Sequence, residues 1–136
     1  MLSEATKTRI KTVLRTLAAL AMVAIGFTHF VDPAPFIRIV PPFLPAPLVL
    51  VYVSGFFEIL GGLGLLWSRS RQWASWGLIA LYLAVFPANI NMAINEIQLE
   101  PGGEIPTWAM WIRLPLQAVF IALAWWLGKP DQKERI

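Results

Sequence analysis

One acidic residue stands in the middle of a long apolar stretch. The twenty residues from Leu48 to Trp67 read LVLVYVSGFFEILGGLGLLW, and Glu58 is the one acidic or basic side chain among them. At a helical rise of ~1.5 Å per residue, this stretch matches the ~30 Å hydrocarbon core of a bilayer. A carboxylate at that depth costs ~2.5 to 3.5 kcal/mol and normally faces a bundle interior or a watery cavity. Glu58 is therefore the first candidate for proton transfer or ligand binding.

Further polar side chains lie in the other apolar stretches of the chain. They are His29, Asn89, Asn91, Arg113 and Gln117. Counted from the midpoint of each stretch, Glu58 and Gln117 fall near the membrane midplane, and the others fall ~7 to 12 Å toward one side of it. The opposite half of these stretches is almost uniformly apolar. We therefore expect these polar residues to line one pocket that opens outward.

Arg113 is the partner that this depth estimate favours for Glu58. The two lie about one and a half helical turns apart in depth, within reach of a guanidinium that forks onto a carboxylate. Two interpretations stay open. The pair is an internal ion pair that fixes the register of two helices, or Glu58 is a proton-carrying or ligand-binding carboxylate beside a positive charge.

His29 is the single histidine of the chain, which has no cysteine. We expect no metal site, because no second nitrogen or sulfur ligand is present to join it. A histidine near the membrane surface often caps a helix or bonds a carbonyl. In the alternative, His29 passes protons between the outer water and Glu58, or bonds the carbonyl of a quinone.

Composition and hydropathy indicate a membrane protein. Hydrophobic residues make up 57% of the 136 residues and charged residues 14%, against ~45 to 50% and ~25% in globular proteins. Four stretches are long enough to cross a bilayer, at about residues 12–30, 48–67, 73–95 and 108–127. They predict an all-α polytopic membrane four-helix bundle, antiparallel, forming a single transmembrane domain over residues 1–136.

The basic residues predict how this bundle is oriented. Nine of the eleven lie in the two tails and the SRSRQ turn, and Arg38 and Arg113 fall on the other side. By the positive-inside rule, both termini are cytoplasmic, and the charge reflects topology rather than a nucleic-acid partner. The basic N-terminus before LAALAMVAIGF is also typical of a signal peptide. Because the apolar run continues to Val31 without a polar cleavage region, we expect a retained first span.

A proline-rich loop follows the first span. It reads VDPAPFIRIVPPFLPAP, with six prolines in seventeen residues. Proline lacks an amide donor and restricts the residue before it, so no regular helix is expected to cross this loop. Its side chains are mostly apolar. We therefore expect the loop to lie at the membrane surface and to fold over the mouth of the pocket as a lid.

Four motifs follow one another between about Gly26 and Ala93: GFTHF, FIRIVPPFLPAP, SGFFEILGGLGLLW and FPANINMA. In this order they resemble the DoxX-like family of small four-helix bacterial membrane proteins. The resemblance implies a location in the bacterial inner (plasma) membrane. Some members of that family are subunits of a thiosulfate:quinone oxidoreductase, and others belong to redox or oxidative-stress assemblies. The positions that match the family pattern are His29, Glu58, Pro87, Ala88 and Asn89.

Three functions are compatible with these features. The first is a binding or accessory protein whose pocket holds a small or quinone-like molecule, with a redox protein or a second copy of the chain as partner. The second is a quinone-linked oxidoreductase subunit in which Glu58 or His29 moves protons. The third is a structural bundle in which Glu58 and Arg113 form an internal ion pair. The identity of the ligand is left open by the sequence.

Overall fold

The computed structural model describes residues Met1–Asp131 and is all-helical over that range. Five helices follow one another along the chain: α1 (Glu4–Val31), α2 (Ala34–Ile39), α3 (Pro47–Leu66), α4 (Arg71–Ile94) and α5 (Thr107–Gly128). All except α2 are long and apolar enough to cross a membrane. Of the basic residues predicted to be cytoplasmic, Lys133 and Arg135 lie outside the described residues.

The four predicted spans are confirmed as helices, three of them to within two residues at each end. The exception is α1, which begins at Glu4 rather than near residue 12. Its start is earlier because the Ser3 hydroxyl accepts a hydrogen bond from the Thr6 amide at 3.2 Å and caps the helix. The outward faces of the long helices carry large apolar side chains that are about half exposed or more, among them Leu20, Phe56 and Val119. So extensive an apolar surface suits contact with lipid.

The proline-rich loop contains one short helix that the sequence did not predict. α2 follows Pro33 directly and has proline in its first turn, where a missing amide donor costs nothing. The helix spans only six residues and does not cross the loop. Its last residue, Ile39, is buried against the end of α4 and the start of α5, beside Met92 and Met110. We call residues 33–45 the lid and this end of the bundle the lid end.

Paired glycines bring α1 and α3 into close contact. A Cβ on Gly55 would lie 2.6 Å from the Cβ of His29 and 2.9 Å from the Gly26 carbonyl oxygen. Further along the same two helices, a Cβ on Gly62 would lie 2.8 Å from the Cβ of Met22. In a membrane, helices associate through close van der Waals packing, which small residues permit. The contact between α1 and α3 therefore depends on these glycines.

Three basic side chains meet one carboxylate at the opposite end of the bundle. Asp131 lies 3.4 Å from Lys11 Nζ, 3.2 Å from Arg15 Nη1 and 3.6 Å from Arg71 Nη1. Arg15 also donates to the Leu127 carbonyl oxygen through Nε, at 3.1 Å. These contacts join the N-terminal half of α1 and the first residue of α4 to the end of α5 and the residues directly after it. We call Lys11, Arg15, Arg71 and Asp131 the Asp131 cluster, and this end of the bundle the basic end.

The Asp131 cluster gives the fold a dependence on pH. Burial alone would raise the pKa of Asp131, but hydrogen bonds from Arg15 and Lys11 and their positive charges outweigh burial and hold it below its ordinary value. A carboxylate with a lowered pKa in the folded state stabilises that state fully at pH values above its unfolded pKa of ~3.9. This stabilisation is lost as the pH falls through the lower, folded value.

The close crossing of α1 and α3 predicts that Gly55→Ala lowers the free energy of unfolding by about 1 to 3 kcal/mol, since the new methyl group meets backbone atoms that have no room to move. Gly77→Ala is the matched control, because a Cβ at Gly77 meets nothing within 4 Å. The control should gain about 0.5 to 1 kcal/mol of helix stability. Unfolding in mixed detergent micelles, followed by circular dichroism, measures both. Equal stability of the two variants would contradict the close contact of α1 and α3 at Gly55.

The Asp131 cluster predicts a second effect. Asp131→Asn should lower stability at neutral pH and remove the part of the acid-induced loss that occurs below about pH 4. The control is Glu4→Gln, which breaks an exposed 2.7 Å ion pair with Lys7 and should change little. The measurement is the free energy of unfolding between neutral and acidic pH. An acid profile of Asp131→Asn identical to that of the unmodified chain would exclude the role assigned to this carboxylate.

Candidate functional site

His29 and Glu58 face each other between α1 and α3. Nε2 of His29 lies 3.6 Å from Oε2 of Glu58, and the two side chains are 9% and 13% exposed. Within Met1–Asp131, His29 is the basic side chain that lies within 4 Å of the Glu58 carboxyl group. Two titratable groups are thus held side by side, largely out of solvent, in a helix bundle that is otherwise apolar at this contact.

The fold holds the imidazole ring from three sides. The Gly55 backbone lies directly against the Cβ of His29. Phe36 of the lid stacks on the ring, with centroids 3.8 Å apart and planes 18° from parallel. The third contact is the hydrogen bond between Nδ1 and the Ile25 carbonyl oxygen, at 2.9 Å. His29 is therefore positioned by its own helix, by α3 and by the lid together.

The contact with Ile25 determines which ring nitrogen carries a proton. A carbonyl oxygen only accepts, so Nδ1 must be the donor. In an uncharged imidazole, Nε2 then presents a lone pair to Glu58. A bare nitrogen and an ionised carboxylate repel each other at this distance. The pair is stable when it holds one proton, either on the carboxyl group or on the imidazole.

The predicted ion pair between Glu58 and Arg113 is not what the structure shows. Arg113 lies half-buried on α5, and the side chain that faces Glu58 within the described residues is His29. α3 packs against α1 and α4, whereas α5 packs against α4, so a similar depth does not bring Arg113 to Glu58. The helices are also not level with one another. His29 lies against Gly55 and Met22 against Gly62, so α1 ends opposite a point roughly two turns into α3.

A spacing signal for the true pair was present in the sequence. His29 follows Gly26 by three residues, and Glu58 follows Gly55 by the same interval. Residues three apart share a helical face, and each glycine packs beside the polar residue of the other helix. Gly55 lies against His29, and Gly26 lies against Ile59, the residue after Glu58.

Gln117 organises a second polar group between α4 and α5. Its Nε2 donates to the Tyr82 carbonyl oxygen at 2.5 Å, and its Oε1 accepts from Asn89 Nδ2 at 3.0 Å. The Tyr82 hydroxyl reaches across to the Met22 sulfur at 3.1 Å. Tyr82 thus links this group to α1, the helix that carries His29.

Asn91 forms a third polar group, with the lid. Its Nδ2 donates to the Ile39 carbonyl oxygen at 2.9 Å, and its Oδ1 accepts from Asn95 Nδ2 at 2.7 Å. Asn91 and Asn95, four residues apart, share a face of α4, and Asn89 faces α5 instead. Asn91 therefore fastens the lid to α4.

The structure distributes the predicted pocket residues other than Arg113 over these three groups. Two open cavities lie at opposite ends of the bundle. One, of about 260 Å³, lies beside the lid and is lined by Pro41, Phe43, Pro87, Asn91 and Asn95 together with isoleucines of α4. The other, of about 300 Å³, is at the basic end. Asn91 is the predicted pocket residue that lines a cavity, and Glu58 lines neither of the two.

Comparisons with known proteins give this architecture a family. No curated protein and no solved structure matches the chain. Residues 17–128 match the family described as "Domain of unknown function (DUF8561)". The matched range runs from the middle of α1 to the end of α5, so it contains the lid and all three polar groups. The chain belongs to this family of unknown function.

Proposed function

We propose that the protein is a DoxX-like integral membrane protein of the bacterial inner membrane, with antiparallel spans and both termini in the cytoplasm. The distribution of charge supports this orientation. Lys11, Arg15 and Arg71 meet at the basic end, together with the exposed Arg69. The positive-inside rule assigns such an end to the cytoplasm. The lid end then faces outward.

We further propose that the protein binds a small quinone-like molecule beneath the lid and serves as an accessory subunit of a membrane redox complex. The observation that carries this proposal is the largely buried contact between His29 and Glu58 beside the lid residue Phe36. We infer from the bond between Nδ1 and the Ile25 carbonyl that this pair holds one proton between Nε2 and the carboxyl group. A proton held out of solvent is a hydrogen-bond donor for a carbonyl oxygen. A quinone presents such an oxygen on an apolar ring.

The cavity beside the lid supplies the other half of this site. Its walls are mostly proline, phenylalanine and isoleucine side chains, which suit an apolar ring, and the amides of Asn91 and Asn95 stand at its edge. Ligand sites of this kind combine apolar walls with a few placed polar groups. The lid contacts both halves, through Phe36 on His29 and Ile39 on Asn91. Movement of the lid would join the cavity to the proton-bearing pair.

A second function, the quinone-linked oxidoreductase subunit, rests on the tautomer of His29. Because Nδ1 is bonded to Ile25, a proton leaves or enters the pair through Nε2 or through Glu58. Reduction of a quinone takes up two electrons, which a redox partner protein would supply, and two protons, one of which the pair is placed to deliver. Quinone-dependent turnover by the purified protein would assign this role. Binding without turnover would assign the accessory role.

The structural bundle is the other alternative, with His29 rather than Arg113 as the partner that Glu58 holds in register. A buried pair fixes helix register as well as it serves chemistry. If this is its only role, substitution of Glu58 changes the stability of the bundle and leaves ligand binding at the lid end unaltered. Ligand binding and stability are therefore measured on the same variants.

The proposal predicts that Glu58→Leu weakens binding of decylubiquinone about tenfold, the effect of losing one hydrogen bond worth roughly 1.4 kcal/mol. Binding is measured by titration calorimetry on the full chain in lipid nanodiscs. Glu104→Gln, an exposed carboxyl in the loop before α5, is the matched control and should bind as the unmodified chain does. Absence of saturable binding, or equal affinity in Glu58→Leu, would overturn the proposal.

The shared proton predicts a pH dependence. If the pair donates its proton to the ligand, affinity falls as rising pH removes that proton. Glu58→Gln keeps a donor at every pH, because its amide does not titrate. This variant should bind the quinone at neutral pH, and its affinity should not fall at alkaline pH. The test is the dissociation constant measured across the pH range. A decline that persists unchanged in Glu58→Gln would assign the titrating proton to another group.

A further inference from the structure

The second cavity lies at the basic end and carries a different chemistry. It has a volume of about 300 Å³ and is formed by the turn between α3 and α4 and by the end of α5. Ser68, Arg69, Arg71 and Gln72 line it, and none of its described lining residues is acidic. Two guanidinium groups, a hydroxyl and a carboxamide make this a donor-rich cavity. Such a lining suits an anion with several acceptor oxygens.

The two arginines differ in how firmly they are held. Arg71 is 7% exposed; its Nε donates to the Leu65 carbonyl oxygen at 3.1 Å, and its Nη1 contacts Asp131. It is a fixed positive charge in the cavity wall. Arg69 is exposed, and none of the ion pairs within Met1–Asp131 involves it. Arg69 is thus the movable donor that can close onto a bound anion.

Tryptophans place this cavity at the depth of lipid headgroups. Trp73 lines the cavity and is 81% exposed, and Trp67 stands exposed at the preceding turn. Near the same end, the Lys129 ammonium lies 3.3 Å from the ring centroid of Trp125. Tryptophan and basic side chains gather where hydrocarbon meets headgroups. The cavity therefore opens where phosphate groups of the bilayer lie.

We propose that this cavity binds the phosphodiester headgroup of an anionic phospholipid. The phosphate would accept hydrogen bonds from Arg69 and from the Ser68 hydroxyl, with Arg71 supplying a fixed charge beside it. Basic pockets between spans at the cytoplasmic face recognise acidic headgroups in this way. The site would occupy the turn beside the Asp131 cluster. The contact of α1, α4 and α5 at that cluster would then depend on which lipid is bound. It lies at the other end of the bundle from the proposed quinone site and does not depend on it.

The test is native mass spectrometry of the full chain released from nanodiscs that contain phosphatidylglycerol and phosphatidylcholine. We expect preferential retention of phosphatidylglycerol, and Arg69→Gln should reduce that preference about fivefold. Gln72→Glu, which adds a negative charge to the cavity and leaves the contacts of Arg71 in place, should reduce it further. Arg9→Gln removes an exposed basic residue outside the cavity and is the matched control.

Equal preference in Arg69→Gln and the unmodified chain would overturn the proposal, as would an equal loss in Arg9→Gln. A soluble anion is distinguished by adding millimolar inorganic phosphate. Retention of phosphatidylglycerol should not change, whereas displacement of the lipid by phosphate, dependent on Arg69, would assign the cavity to a soluble phosphate compound. Glu58→Gln should keep the lipid preference, so failure of this proposal and failure of the quinone proposal are separate results.

Discussion

The close crossing of α1 and α3 is the contact on which the candidate site depends. Gly26 and Gly55 let the two backbones approach until the Cβ of His29 touches the Gly55 backbone. At that separation His29 lies against Gly55 and Gly26 lies against Ile59, so the side chains of His29 and Glu58 reach each other. A larger residue at either glycine would push the helices apart and separate the imidazole from the carboxylate. The chemistry of the pair is thus a consequence of packing between small residues.

The two ends of the bundle use polar groups in different ways. At the basic end, charged side chains bond backbone carbonyls at helix ends, as Arg15 does at Leu127 and Arg71 does at Leu65. Those carbonyls have no partner within their own helices. At the lid end, neutral amides carry the contacts, as between Asn89 and Gln117. The buried charges of the basic end are compensated by one another and by these carbonyls, whereas neutral amides carry the hydrogen bonds between α4 and α5.

The lid connects the polar groups of its end. Phe36 stacks on His29 of α1, and the Ile39 carbonyl accepts from Asn91 of α4. Both contacts come from α2, a six-residue helix that is too short to be stable alone. Its structure therefore relies on the bundle beneath it. The lid also contributes Pro41, Pro42 and Phe43 to the wall of the adjacent cavity, so it contacts the pair and the cavity alike.

Sequence alone determined the class of the protein, the four spans and the clustering of basic residues, because length, hydropathy and charge are local properties of the chain. It also identified His29, Glu58, Asn89, Asn91 and Gln117 as the polar groups of the spans. Only the tertiary structure decided which of them meet. The axial offset between helices is set by side-chain packing at the crossings. A depth counted along each span therefore could not pair Glu58 with His29 rather than with Arg113. Nor could it place Asp131 among three basic residues from α1 and α4.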